Sequence, residues 1–114
     1  MPLSVKTNIS ALRALGTRQA ASADNIANAA TPKFKRVSVE MEEGRAGSVR
    51  ARTQKVNTPG VMINNPDSSL EELSNVDLGQ ELTDMIPTRN GYGANIKALK
   101  AEGEMEDSVL DLIG

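Results

Sequence analysis

Carboxylates crowd together at two places in the chain, Glu40, Glu42 and Glu43 in RVSVEMEE and Glu102, Glu104 and Glu106 in KAEGEMED. Carboxylates at such spacing could share a divalent cation or divide the roles of general acid and base. Nothing in the sequence completes either constellation. With no cysteine and no histidine there is no thiolate nucleophile, no imidazole base, no disulfide and no Cys/His metal site. The two acidic runs read more simply as solvated faces. The expectation is therefore no enzyme, no catalytic, cofactor-binding or metal-ligating residue, no cofactor and no small-molecule substrate.

A second possible chemistry is electrostatic. Lys33, Lys35, Arg36, Arg45, Arg50, Arg52 and Lys55 are clustered cations of the kind phosphate contacts need. Residues 1–55 hold ten Lys/Arg against four Asp/Glu, and residues 56–114 hold three against eleven. A small nucleic-acid-binding protein using the basic first half is the alternative this pattern offers. Against it, only Phe34 could stack on a base, and the acidic half would repel a phosphate backbone. A polarised chain can equally pair its own halves or pair with copies of itself.

The elements that would position these groups are two long helices. Val5, Ile9, Leu12, Gly16, Gln19, Ala23, Ile26 and Ala30 follow alternating steps of four and three, a heptad seam weakened by Gly16 and Gln19. An ordinary core-facing helix would show the same pattern. Leu78, Leu82, Met85, Arg89, Tyr92, Ile96, Leu99, Gly103, Glu106, Leu110 and Ile113 repeat it at the other end of the chain. Ser74 is the expected N-cap there, with Asp77 three residues on and Leu73 and Leu78 at staple positions. Pro87 lacks a backbone N–H, and Gly91, Gly93 and Gly103 are poor helix formers, so a kink or break is expected near Thr83 to Pro87.

Between the helices the period drops to two. RVSVEME and SVRARTQKV alternate apolar and polar residues and predict two short strands joined by EEGRAG as a hairpin. From NTPG to NNPDSS, turn residues punctuate the chain and predict an extended connector. The fold class is mainly α with a small β region: long N- and C-terminal helices packed as a coiled-coil-like pair, joined by a β-hairpin and an extended loop. One structural unit is expected, with an N-terminal assembly helix over 1–30, the corner, hairpin and connector over 31–73, and a C-terminal assembly helix over 74–114. Phe34 and Tyr92 are the only aromatics, so aliphatic seams must do the packing. No segment reaches the roughly 20 apolar residues of a membrane span, and no cleaved signal peptide is expected.

The first helix ends at a corner. In SADNIANAATPKFKR, Asn28 is a natural left-handed C′ residue, Pro32 cannot continue the helix, and Thr31 before it is pushed towards extended geometry. Asn25 and Asn28, one turn apart, can direct their amides at the last-turn carbonyls or at a neighbouring backbone.

These same residues carry a resemblance. NIANAATPKFKR resembles the N-terminal signature of the bacterial flagellar basal-body rod, hook and hook-associated (axial) family, matched at Asn25, Ala27, Asn28, Thr31, Pro32, Phe34, Lys35 and Arg36. NVDLGQELTDMIPTRNGYGANIKALKAEGEM resembles that family's C-terminal signature, matched at Val76, Glu81, Leu82, Met85, Ile86, Arg89, Tyr92, Ala94, Asn95, Lys97, Leu99 and Met105. The short middle is most like a small proximal-rod protein. Lys33 stands where the family commonly has Gly, which favours a type I turn without positive φ. The resemblance implies a structural subunit of the flagellar rod, polymerising through its terminal helices into the drive shaft that crosses the periplasm. Its implied partners are copies of itself, other flagellar rod and hook proteins, and the flagellar type III export apparatus. The residues implied in assembly are Val5, Ile9, Leu12, Ala23, Asn25, Ile26, Ala27, Asn28, Thr31 and Pro32, and Leu78, Leu82, Met85, Arg89, Tyr92, Asn95, Ile96, Leu99, Leu110 and Ile113.

Overall fold

A computed structural model describes residues 3–114 of the chain. Helix α1 spans Leu3–Ala27, strands β1 and β2 span Val37–Glu43 and Val49–Lys55, strands β3 and β4 span Met62–Asn64 and Leu70–Glu72, and helix α2 spans Leu78–Ile113. The fold is mainly helical with minor β, as the sequence predicts. The short strands β3 and β4 form an antiparallel hairpin inside the stretch expected to be extended loop.

Hairpin β1–β2 pairs Val37 with Lys55 through to Glu43 with Val49, around a 3-10 turn at Arg45–Gly47. Its register sets Glu40 opposite Arg52 and Glu42 opposite Arg50. Cross-strand pairs of opposite charge stabilise a sheet modestly, and Glu42 meets Arg52 at 3.3 Å and Arg50 at 3.7 Å. The first acidic run is thus one side of a charge-paired hairpin. Ser10 ties the hairpin to α1, its hydroxyl accepting the Val49 N–H at 2.9 Å.

Helix α2 runs through Pro87 without interruption, so the expected break is absent. One lost N–H and a crowded carbonyl cost about 3 kcal/mol, yet the 36-residue helix continues through them. The helix also starts later than expected. Its N-cap is Asp77, whose carboxylate accepts the Gln80 N–H at 3.2 Å. Ser74 lies buried before the cap and accepts the Val76 N–H instead, so Leu73 and Leu78 do not form the staple.

The helices are antiparallel. Asn8 near the start of α1 donates to Glu102 late in α2 at 3.3 Å, and Asn25 near the end of α1 donates to Glu81 early in α2 at 3.0 Å. Described ion pairs number three, and only Lys35 with Glu72 joins the basic to the acidic half. Carboxamide-to-carboxylate bonds, rather than the charge asymmetry, therefore set the helix register.

The interior is nearly absent. Ala14, 3% exposed, is the one buried hydrophobic residue among those described. The molecule extends over 78 × 23 × 15 Å with a radius of gyration of 20.2 Å, where a compact domain of this length would have about 13 Å.

Candidate functional site: a polar inner seam and an apolar outer stripe

The seam between the helices is displaced by one residue from the predicted one. On α2 the positions turned inward are Glu81 and Thr88, both buried, and Asn95 and Glu102, both half-buried, at intervals of seven. Each precedes a predicted seam position, and Leu82, Arg89, Ile96 and Gly103 are all exposed. On α1, Ser22 and Asn25 are buried, one residue before exposed Ala23 and half-buried Ile26. The buried positions of the face that the helices share are therefore polar, flanked by half-buried Leu15, Met85 and Leu99.

Of the other predicted positions, Val5, Ile9, Leu12, Gly16, Gln19, Met85 and Leu99 are half-buried, whereas Leu78, Tyr92, Glu106, Leu110 and Ile113 are exposed. Ala30 falls outside α1, in the turn that follows Ala27. The result is a stripe of exposed apolar side chains, including Leu78, Leu82, Ile86, Tyr92, Ile96 and Leu110, along α2. Beside it, Leu15, Gly16, Ala20, Ala23 and Tyr92 line an apolar groove of about 430 Å³ between the helices. Gln19 lines the same groove, and its Oε1 is buried without a hydrogen-bond partner.

Asn25 organises the corner. It is 1% exposed. Its Nδ2 donates to the Val37 carbonyl at 2.8 Å and to Glu81 Oε1 at 3.0 Å, and its Oδ1 accepts the Val37 N–H at 2.8 Å. One carboxamide thus fixes the end of α1, the first residue of β1 and the first turn of α2. Asn28 does the local work. Its Nδ2 donates to the Asp24 carbonyl at 2.9 Å, and its Oδ1 accepts the Thr31 hydroxyl at 3.1 Å. It does not take the left-handed conformation expected of it. Lys33 does, at φ 62°, so the turn keeps a glycine-like geometry without a glycine. Ala27, Thr31 and Pro32 lie exposed around the turn.

Asn75, which the sequence reading passed over, is the counterpart of Asn25. It accepts the Arg36 N–H at 2.6 Å and donates to the Val56 and Thr58 carbonyls at 2.7 and 3.0 Å. A lone Asn ahead of a helix gives no signal of this role. Glu72 completes the joint by accepting from Lys35 and from the Gly60 N–H. Those two donors, Lys35 foremost, hold its carboxyl below the usual glutamate range. Gly60 is required sterically, since a Cβ there would stand 1.9 Å from the Leu73 carbonyl oxygen.

Nothing in this geometry converges on a reacting group. It joins both ends of the chain into one unit and leaves apolar surface outward. Residues 68–112, the end of the connector and nearly all of α2, match the family model described as flagellar basal body rod FlgEFG protein C-terminal. This C-terminal part is a flagellar basal-body rod domain. The match spans under half of the chain, and the corner from Asn25 to Arg36 lies outside it. No curated protein matches the chain. A rod-family domain over residues 68–112 supports a structural rod component located in the basal body and assembling with other rod proteins. It lends nothing to the nucleic-acid alternative, two of whose cations, Lys35 and Arg52, are paired with Glu72 and Glu42. No helix among the described residues is long and apolar enough to cross a membrane.

Proposed function

We propose that the chain is a subunit of the flagellar rod, of the small proximal-rod type, that polymerises through α1 and α2 into the periplasmic drive shaft. The observation that carries this reading is the surface. The chain exposes 7923 Å², whereas a compact monomer of 12.1 kDa exposes roughly 6,000 Å². Apolar area of this kind is stabilising once removed from water, at about 25 cal/mol per Å². Copies of the chain and other rod proteins supply that burial, with Leu78, Leu82, Tyr92, Ile96, Leu110 and Ile113 as outer contacts and Gly16, Ala20 and Ala23 letting a neighbouring helix approach closely. Val5, Ile9, Leu12, Ile26, Met85 and Leu99 bridge the inner and outer faces. Delivery by the flagellar type III export apparatus belongs to the same reading.

The test is to replace Leu82 and Ile96 by Asp separately. Both are exposed, at 52% and 45%, so the isolated chain should keep its circular dichroism spectrum. Co-purification with basal bodies and motility should both be lost. Normal incorporation of both variants would rule out the outer stripe as the assembly surface.

A further inference from the structure

The end of α2 and the groove beside β2 are complementary in charge and both carry exposed apolar area. From Glu102 to Ile113 the helix carries Glu102, Glu104, Glu106, Asp107 and Asp111 and no lysine or arginine. Glu104, Asp107 and Asp111 recur at helical spacing on one side, while Met105, Val109 and Leu112 recur on another, all three exposed. None of these carboxylates makes an ion pair among the described residues. The segment is an acidic amphipathic helix end whose apolar side lacks cover.

The opposite character occurs between α1 and β2. Arg13, Ala14, Thr17, Val49, Arg50 and Ala51 line a groove of about 310 Å³, apolar in its floor and cationic at its rim. Arg13 has no carboxylate partner among the described residues, and Arg50 holds Glu42 only at 3.7 Å with its side chain 75% exposed. The rim cations are free to accept a second set of carboxylates.

We propose that residues 102–113 of one copy dock into the α1–β2 groove of a second copy, with Asp107 and Asp111 on Arg13 and Arg50 and the Val109 and Leu112 side chains on Val49 and Ala51. This deepens the rod reading and rests on it. Because the two surfaces lie at different places on one chain, the contact is heterologous and repeats from copy to copy instead of closing as a dimer.

A charge swap tests it on the full chain. The double variant Asp107→Arg/Asp111→Arg and the double variant Arg13→Glu/Arg50→Glu each place like charges across the joint, and each alone should weaken self-association at low salt by at least about tenfold, read by sedimentation velocity. Mixed together they should regain association, since each tail then meets a groove of opposite sign. Because the natural chain has no cysteine, mixing Asp107→Cys with Arg50→Cys adds a geometric readout: the mixed disulfide should form under mild oxidation in preference to either homodisulfide. Wild-type association by either double variant, no recovery on mixing, or homodisulfides alone would each overturn the docking. If the wild-type chain still co-purifies with basal bodies in that event, the rod reading stands without it. A successful swap with the chain absent from basal bodies would keep the docking and sink the rod reading.

Discussion

Replacing Asn25 by Leu should be the most damaging single change at the corner. The substitution keeps much of the side-chain volume and removes both ends of the carboxamide. Three groups lose their partner: the Val37 N–H, the Val37 carbonyl and the Glu81 carboxylate, which is 6% exposed. Each unsatisfied buried group costs about 1–3 kcal/mol, so the total is about 3–9 kcal/mol against a typical stability of 5–15 kcal/mol. Thermal denaturation followed at 222 nm should show a fall in Tm of more than about 12 °C, at roughly 4 °C or more per kcal/mol for a chain of this size. Asn28→Leu removes a side-chain bond to Asp24 at the exposed end of α1 and should cost only about 0.5–1.5 kcal/mol. Asn25→Asp separates the causes. It keeps an acceptor for the Val37 N–H but places a second carboxylate opposite Glu81, so a loss as large as that of Asn25→Leu would assign the joint to the donor end of the carboxamide. Equal melting temperatures for Asn25→Leu and Asn28→Leu would refute the reasoning, because the carboxamide would then not be the joint.

Other outcomes follow from single features. Lys33→Gly should raise Tm by a few degrees, since φ 62° costs a residue with a Cβ about 1 kcal/mol that glycine avoids; no gain would show that the turn is held by contacts of the lysine itself. Gly60→Ala should cost roughly 1–3 kcal/mol and remove hydrogen-exchange protection from the Leu73 amide, which bonds the Val61 carbonyl at 2.8 Å. Glu72 is held below its ordinary value of 4.5 by Lys35 and the Gly60 N–H; with the folded value depressed, its contribution is present above that pH and disappears as pH falls through the lower folded value, so Glu72→Gln should flatten the acid limb of the stability profile. On the proposed rod reading the dichroism of the wild-type chain should gain helix with concentration, as packing against further copies offsets Pro87 and the interior glycines; a dilute chain already as helical as a concentrated one would contradict this.

The sequence made the elements legible because their periods differ. Alternation in RVSVEME and SVRARTQKV located β1 and β2 to within a residue, and the heptad spacing found both helices. What periodicity does not contain is phase. It reports that Leu82 and Ile96 share a face, not which partner that face meets, and inside one chain the partner meets the polar neighbours Glu81 and Asn95 instead. The N-cap was misplaced for a related reason, since Ser74 and Asp77 are both good caps and only the path of the chain chooses between them. Strands β3 and β4 were hidden by their length of three residues each among Asn, Pro and Ser. The resemblance pointed to Asn25, but its reach across 56 positions to Glu81 is a tertiary fact that local spacing does not encode.

The separation of a polar inner seam from an apolar outer stripe also sorts mutations by inheritance. A change that breaks the Asn25 joint spoils the chain before it can meet another, so a cell carrying one good and one bad copy of the gene simply makes less usable protein, and the defect should be recessive. On the proposed rod reading, a change on the outer stripe leaves a well-folded chain that still offers its intact side to a growing shaft. Once added, it presents a surface on which the next subunit finds no hold. Such an allele should be dominant, and its potency should climb with its share of the pool, since one poisoned addition is enough to stop the row behind it.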